Sequence, residues 1–227
     1  LPKDDELADA LTAARAGDEQ GFAVLWRALN PAVLRYLRLI AGDAAEDVAS
    51  ETWLQAARDL DRFTGDPAAF RAWLFRIARH RGIDEQRRAG RRREHLASGG
   101  GFSGGALDGG GVFDGRVLEG GVLPGGVGGV LAGGSLPAAE AEVIEGAETA
   151  WALSRVAELP ADQAEAVMLR IVAGLDVADT ARILGKRRGA VRIATMRGLR
   201  RLAADPQVRL RAAEQPRSPR PETTEKV

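Results

Sequence analysis

Apolar residues recur at helical spacing through the first ninety positions of the chain. Phe22, Leu25, Trp26 and Leu29 follow an i, i+3, i+4, i+7 pattern, which predicts one face turned inward. Pro31 is expected to start the next helix, with Val33, Leu34, Leu37 and Ile40 on its core side and Gly42 at its end. Asp43 is placed to cap a third helix carrying Val48, Thr52, Trp53 and Ala56 inward. A loop over residues 61–67 precedes a fourth helix, where Phe70, Trp73, Leu74, Ile77 and Ala78 form an apolar stripe.

The periodicity then stops. Residues 99–134 hold 17 of the 28 glycines, and the valines and leucines among them repeat at neither 2 nor 3.6. This composition predicts a flexible or extended linker. From Ala139 the helical pattern returns. Leu159-Pro160-Ala161-Asp162 opens a helix with Ala164, Val167, Met168 and Ile171 inward and Gly174 at its close. Asp176 and Asp179 start another in the manner of a capping box. After Asp205-Pro206 the chain turns to Arg, Pro, Glu and Thr, which predicts a frayed end. The expected fold is all-α: two small helical domains over residues 1–96 and 139–206, a flexible Gly-rich linker over 97–138, and a disordered tail over 207–227.

Composition refines this picture through the placement of charge. Thirty-two basic and 32 acidic residues give a net charge of zero, but the signs are segregated. Residues 70–95 carry nine arginines against Asp84, Glu85 and Glu94, and residues 181–202 carry eight Lys or Arg and no acid. Asp43, Glu46, Asp47, Glu51, Asp59, Asp61 and Asp66 crowd one 24-residue window. Such segregation predicts a basic surface for a polyanion and an acidic one for a protein partner. The chain has no cysteine and only two histidines, so no metal centre and no cofactor is expected. No apolar run reaches the roughly 20 residues of a membrane span, and no signal-peptide pattern is seen, so a cytoplasmic protein without membrane insertion is expected.

The acid-free basic stretch reads as a helix-turn-helix: residues 177–184, then Gly185, then a second helix from about Gly189 to Leu202. Ala181 is small where the helices cross, Gly185 supplies a positive φ, and Val191 points back into the core. The second helix would display Arg188, Arg192, Thr195, Met196, Arg197 and Arg200 to a major groove. Arg187-Arg188 occupies the place of the usual Ser or Asp cap, and phosphate contact would compensate.

The first basic helix has a different chemistry. Arg71, Arg76 and Arg79 lie opposite the apolar stripe with Phe75 among them, and Phe63 leads the adjoining loop. Arginines with interleaved aromatics suit single-stranded nucleic acid, phosphates pairing with Arg and bases stacking on rings. The loop beside them could hold an extruded base.

These residues resemble bacterial RNA polymerase sigma factors of the extracytoplasmic-function (ECF) group. The resemblance rests on Glu46-Asp47-Val48 with Glu51-Thr52-Trp53, then residues 70–79, then Leu159-Pro160 and the helix-turn-helix, in that order and at family spacing. It implies that residues 43–58 match region 2.2, docking on the β′ clamp helices of core RNA polymerase through Glu46, Asp47, Glu51, Trp53 and Gln55. It implies that Phe63, Arg71, Phe75, Arg76, Arg79, His80 and Arg87 belong to a region that melts the minus-10 element and captures a flipped base. The helix-turn-helix with Arg187 would match region 4.2, reading the minus-35 duplex beside the β flap. An anti-sigma factor is the further partner implied. Ile193 and Ala194 depart from the polar residues common at those positions, and the linker is unusually long and glycine-rich. The alternative is a freestanding helix-turn-helix regulator of duplex DNA, which would need neither the acidic segment nor the Phe75–Arg cluster. No Ser-His-Asp set, P-loop or metal spacing points to an enzyme.

Overall fold

The computed structural model describes residues 4–98 and 136–214, and every regular element among them is helical. Helix α1 (Asp4–Arg15) packs against α2 (Glu19–Ala41), which packs against α3 (Ala45–Asp59). Helix α4 (Pro67–Ser98) follows the loop after a 3-10 turn at Leu60–Arg62. Helix α5 (Leu136–Ala157) leads to α6 (Ala161–Val167), α7 (Val177–Leu184), α8 (Arg188–Ala204) and α9 (Pro206–Glu214). Among the described residues, 4–89 and 151–214 belong to one compact unit, and 90–98 and 136–150 to another. Of the expected linker, residues 97–98 belong to α4 and 136–138 to α5, and residues 99–135 lie outside the described residues, as do the last 13 residues of the expected tail.

The first bundle is built around large side chains. Leu7, Leu25, Leu29, Val33, Tyr36, Leu37, Phe70, Leu74 and Phe75 are all sealed from solvent. Aromatic edges organise it: Phe22 meets Trp53 and Tyr36 meets Phe75, each at a centroid distance of 5.7 Å in T-shaped geometry. Asp18 caps α2 by accepting from the amides of Gln20 and Gly21, and Asp66 accepts from the Ala69 amide at the start of α4.

Several expectations are corrected here. Pro31 does not start a helix; it sits inside a continuous α2. A proline there removes one main-chain hydrogen bond, but Leu25 and Leu29 before it and Val33 and Leu37 after it anchor both halves to the same core. Trp26 is 44% exposed, at the edge of the buried stripe rather than in it. Asp43 caps nothing: Gly42–Ala44 is a 3-10 turn, and α3 begins at Ala45 without a side-chain cap. The chain beyond Pro206 is not frayed at once. It forms α9, whose Arg211 guanidinium lies 4.7 Å over the Trp151 ring.

The second cluster of helices contains a π-turn at Met168–Val172. The Ala173 amide donates to the Met168 carbonyl, an i→i+5 bond that adds a residue to the turn. That extra residue rotates Ile171 outward, to 58% exposure, while Met168 and Leu169 stay buried; the inward placement of Ile171 expected from a 3.6 period is thereby corrected. Helices α6 and α8 then pack closely.

Candidate nucleic-acid interface

Helices α7 and α8 form the expected helix-turn-helix. The Asp176 side chain accepts from the Asp179 amide at 2.6 Å, opening α7. Gly185 closes it at φ +63, and the Lys186 amide returns to the Ala181 carbonyl at 2.9 Å, the six-residue loop of a Schellman ending. Ala181 and Val191 are buried at the crossing. Lys186 reaches back to Asp162 on α6 at 2.5 Å, tying the turn to the supporting helix.

The outer face of α8 presents Arg188, Arg192, Met196, Arg197 and Arg200, all exposed. Met196 and Leu199 form an apolar strip bordered by Arg192 and Arg200. Ile193 is 47% exposed beside them. Thr195 departs from expectation: its hydroxyl is shut away from solvent, so it is not placed to read a base edge. Arg187 takes the N-cap position in extended backbone with no side-chain hydrogen bond, leaving the first amides of α8 uncapped beside exposed cations.

On the first bundle the expected minus-10 residues divide. Phe75 is fully buried against Tyr36 and is corrected from stacking platform to core residue. It lies with Leu74 and Ala78 on the buried side of α4, where Tyr36 of α2 covers it. Arg71 is likewise buried, 8% exposed. Arg76 and His80 are exposed, with His80 3.6 Å and Arg87 3.7 Å from Asp84. Phe63 is also a buried residue, 9% exposed, its ring packed against Phe70 and Trp73 at centroid distances of 5.5 and 5.1 Å. It nonetheless lines a cleft of about 570 Å³ together with Thr64, the half-buried Trp73 and Arg76.

Arg79 is engaged within the chain. Its Nε and one terminal nitrogen donate to the two carboxylate oxygens of Glu165 at 3.1 and 3.3 Å. The Tyr36 hydroxyl donates to the same carboxylate at 3.2 Å. Burial, reinforced by the Glu165 charge, holds the Tyr36 phenol well above its ordinary pKa. Neither Glu165 nor Tyr36 stands out in the sequence. They lie 129 positions apart, on helices whose periodicity marks neither as polar-paired.

The acidic helix α3 shows a similar division. Glu46 and Asp47 are exposed, with Arg38 3.8 Å from Glu46. Glu51 and Gln55 both receive Arg81 of α4, at 2.6 and 3.0 Å. Trp53 is corrected from docking residue to core: it is 5% exposed, and its indole N–H donates to Asn30 at 2.9 Å. Among the described residues no cluster of His, Cys, Asp and Glu could hold a metal ion, and no helix is long and apolar enough to cross a membrane.

Both helical parts of the chain have counterparts among known proteins. Sigma-70 region 2 matches residues 25–92, and Sigma-70 region 4 matches residues 150–202. The ECF RNA polymerase sigma factor SigD of Mycobacterium tuberculosis is 31% identical over 205 residues, covering 87% of this chain and 82% of SigD. The chain belongs to the ECF sigma factors. Another member, BldN of Streptomyces coelicolor, is 31% identical over 198 residues, and the match spans 84% of this sigma factor but 62% of BldN. Among solved structures, CnrH in complex with the cytosolic domain of CnrY superposes over 92% of the chain with a TM-score of 0.51 at 21% identity, a likeness of fold. In this sigma factor, α2 to α4 thus make up most of region 2, and α6, α7 and most of α8 lie within region 4.

Proposed function

We propose that this sigma factor binds core RNA polymerase and directs initiation at specific promoters, without catalysis of its own. The single observation that carries the reading is the pairing of an exposed arginine face on α8 with a cleft that Phe63, Trp73 and Arg76 line. The first suits the minus-35 duplex, where arginines meet guanine edges and phosphates. The second suits a single strand of the minus-10 element, with rings for bases and guanidinium for phosphate. Polymerase fixes the spacing of the two. Captured bases then favour the melted state through binding that the closed duplex does not receive.

Exposed Glu46 and Asp47 are the residues best placed to meet the β′ clamp helices, with Glu51 and Gln55 behind them on Arg81. Family membership also points to contact with the β flap, to an anti-sigma factor as regulator, and to action in the cytoplasm. The test is transcription from a genomic-fragment library by core polymerase with and without the protein. Discrete new start sites, lost in Glu46→Lys/Asp47→Lys, are expected. Duplex binding without core, and no new transcripts with it, would leave a freestanding regulator instead.

A further inference from the structure

The outer face of α8 is apolar where it projects furthest. Val191 and Gly198 are buried and mark the inner side of the helix. At about 100° per residue, Ile193 and Met196 straddle the line opposite those two. They are 47% and 42% exposed. Arg192 flanks them on one side and Arg197 on the other, both exposed, and Arg200 follows Met196 one turn on. Gly189 stands one turn before Ile193 and is also exposed. A Cβ at residue 189 would meet no atom within 4 Å, so packing among the described residues does not call for glycine there. Glycine weakens an exposed helix relative to alanine, and its use fits a backbone brought close to an outside surface.

Arginines on both flanks match a polyanion and favour a duplex over a protein as the occupant of this face. In a helix-turn-helix the N-terminal half of the second helix meets base edges. Ile193 and Met196 fall in the first nine of the 17 residues of α8. Neither side chain carries a strong hydrogen-bond donor or acceptor. The apolar feature that a base pair shows in the major groove is the thymine C5 methyl. A guanine carbonyl or cytosine amine set under either side chain would lose water and gain no partner. Residues three apart on a helix differ in height by about 4.5 Å. Successive bases on a strand are spaced about 3.4 Å, so the two side chains suit neighbouring base pairs.

We propose that Ile193 and Met196 read thymine methyls, so that the duplex this sigma factor selects carries two neighbouring T·A pairs, with thymine on either strand, under the middle of its reading helix. The inference rests on the assignment of α8 to the minus-35 duplex. It gives a chemical role to Ile193, which departs from the polar residues common at its position. Selectivity here comes from excluding bases whose polar edges would go unmet, while the flanking arginines hold guanine edges and phosphates.

The test uses the full-length chain assembled with core RNA polymerase and a randomised duplex library. Enriched duplexes are remade with uracil in place of each thymine in turn, which removes one methyl and leaves base pairing intact. Uracil at the two proposed pairs is expected to weaken binding about fourfold each, and Ile193→Ala and Met196→Ala should each erase that penalty at one pair. The uracil duplexes test the parent protein directly, whatever the folding of the variants. Duplexes that tolerate uracil at every position would overturn the inference, as would an enriched set without neighbouring T·A pairs. A penalty of equal size in the parent and both variants would overturn it too, since the methyls would then meet other groups. Unchanged duplex binding by both variants, with weaker binding to core, would give this face to the polymerase and overturn it as well. Failure to enrich any duplex or to start new transcripts would sink the proposed function itself; with enrichment and initiation intact, only the thymine reading is at stake.

Discussion

Gly198 of α8 lies so close to Val167 of α6 that a Cβ at residue 198 would meet the Val167 Cγ2 at 2.8 Å. The same added atom would stand 3.4 Å from the Gln163 carbonyl oxygen. This approach lets α8 rest directly on α6. Gly198→Ala would gain about 1 kcal/mol of helix propensity. The overpacking costs typically about 1–3 kcal/mol and prevails, since a β-branched side chain has little room to turn. The variant is expected to lower the urea midpoint, and Val167→Ala in the same chain to recover part of the loss relative to Val167→Ala alone.

Trp53 and Asn30 give a second prediction. Trp53 is core, edge-on to Phe22 and bonded to Asn30. Trp53→Ala should cost about 3–5 kcal/mol of stability. Trp53→Phe should destabilise mildly and bind core polymerase like the parent once the folded fraction is counted. A Trp53→Phe protein that stays fully folded yet binds polymerase tenfold worse would return Trp53 to the interface.

Arg187 separates stability from binding. As an uncapped N-cap residue it leaves amides of α8 without a side-chain acceptor. Arg187→Asp should stabilise the free protein by about 1 kcal/mol. The same change should weaken duplex binding similarly for all sequences and reduce the salt dependence by about one phosphate contact. Thermal melts and binding at two salt concentrations read both effects. An altered base preference would instead make Arg187 a reader.

Tyr36 predicts an alkaline limit. Its phenol pKa is raised in the folded chain, by burial first and the Glu165 charge second, with Arg79 opposing. Its contribution to stability is complete below the ordinary phenol value near 10 and declines above it, because the unfolded chain ionises while the folded one resists. Stability should therefore fall as pH rises above about 10. Tyr36→Phe should flatten that slope, measured by urea titration against pH.

Much of the fold was legible because helices write their buried face at a fixed period. Val48, Thr52, Trp53 and Ala56 on α3, and the turn at Gly185 with Ala181 and Val191, lie as their spacing predicts. Failures came where a local rule met a tertiary one. Pro31 is overridden by core on both sides of it, and Ile171 is turned out by an extra residue that no periodicity announces. The site was read least well at aromatics. Composition alone cannot say whether Phe75 among arginines faces water or the helix behind it, and here Tyr36 claims it. The Glu165–Arg79 pair was beyond reach, because ion pairing between distant helices leaves no mark on either.

The π-turn at Met168–Val172 has a consequence for how this chain aligns with others. It adds one residue to the turn without a loop, and it keeps Met168 and Leu169 in the core while turning Ile171 to solvent. A relative lacking one residue here would keep an unbroken helix, and its supporting segment would arrive at the reading head turned by about 100°. Position-by-position transfer of promoter-reading roles across such a gap would then name the wrong side chains, even where every flanking residue is identical.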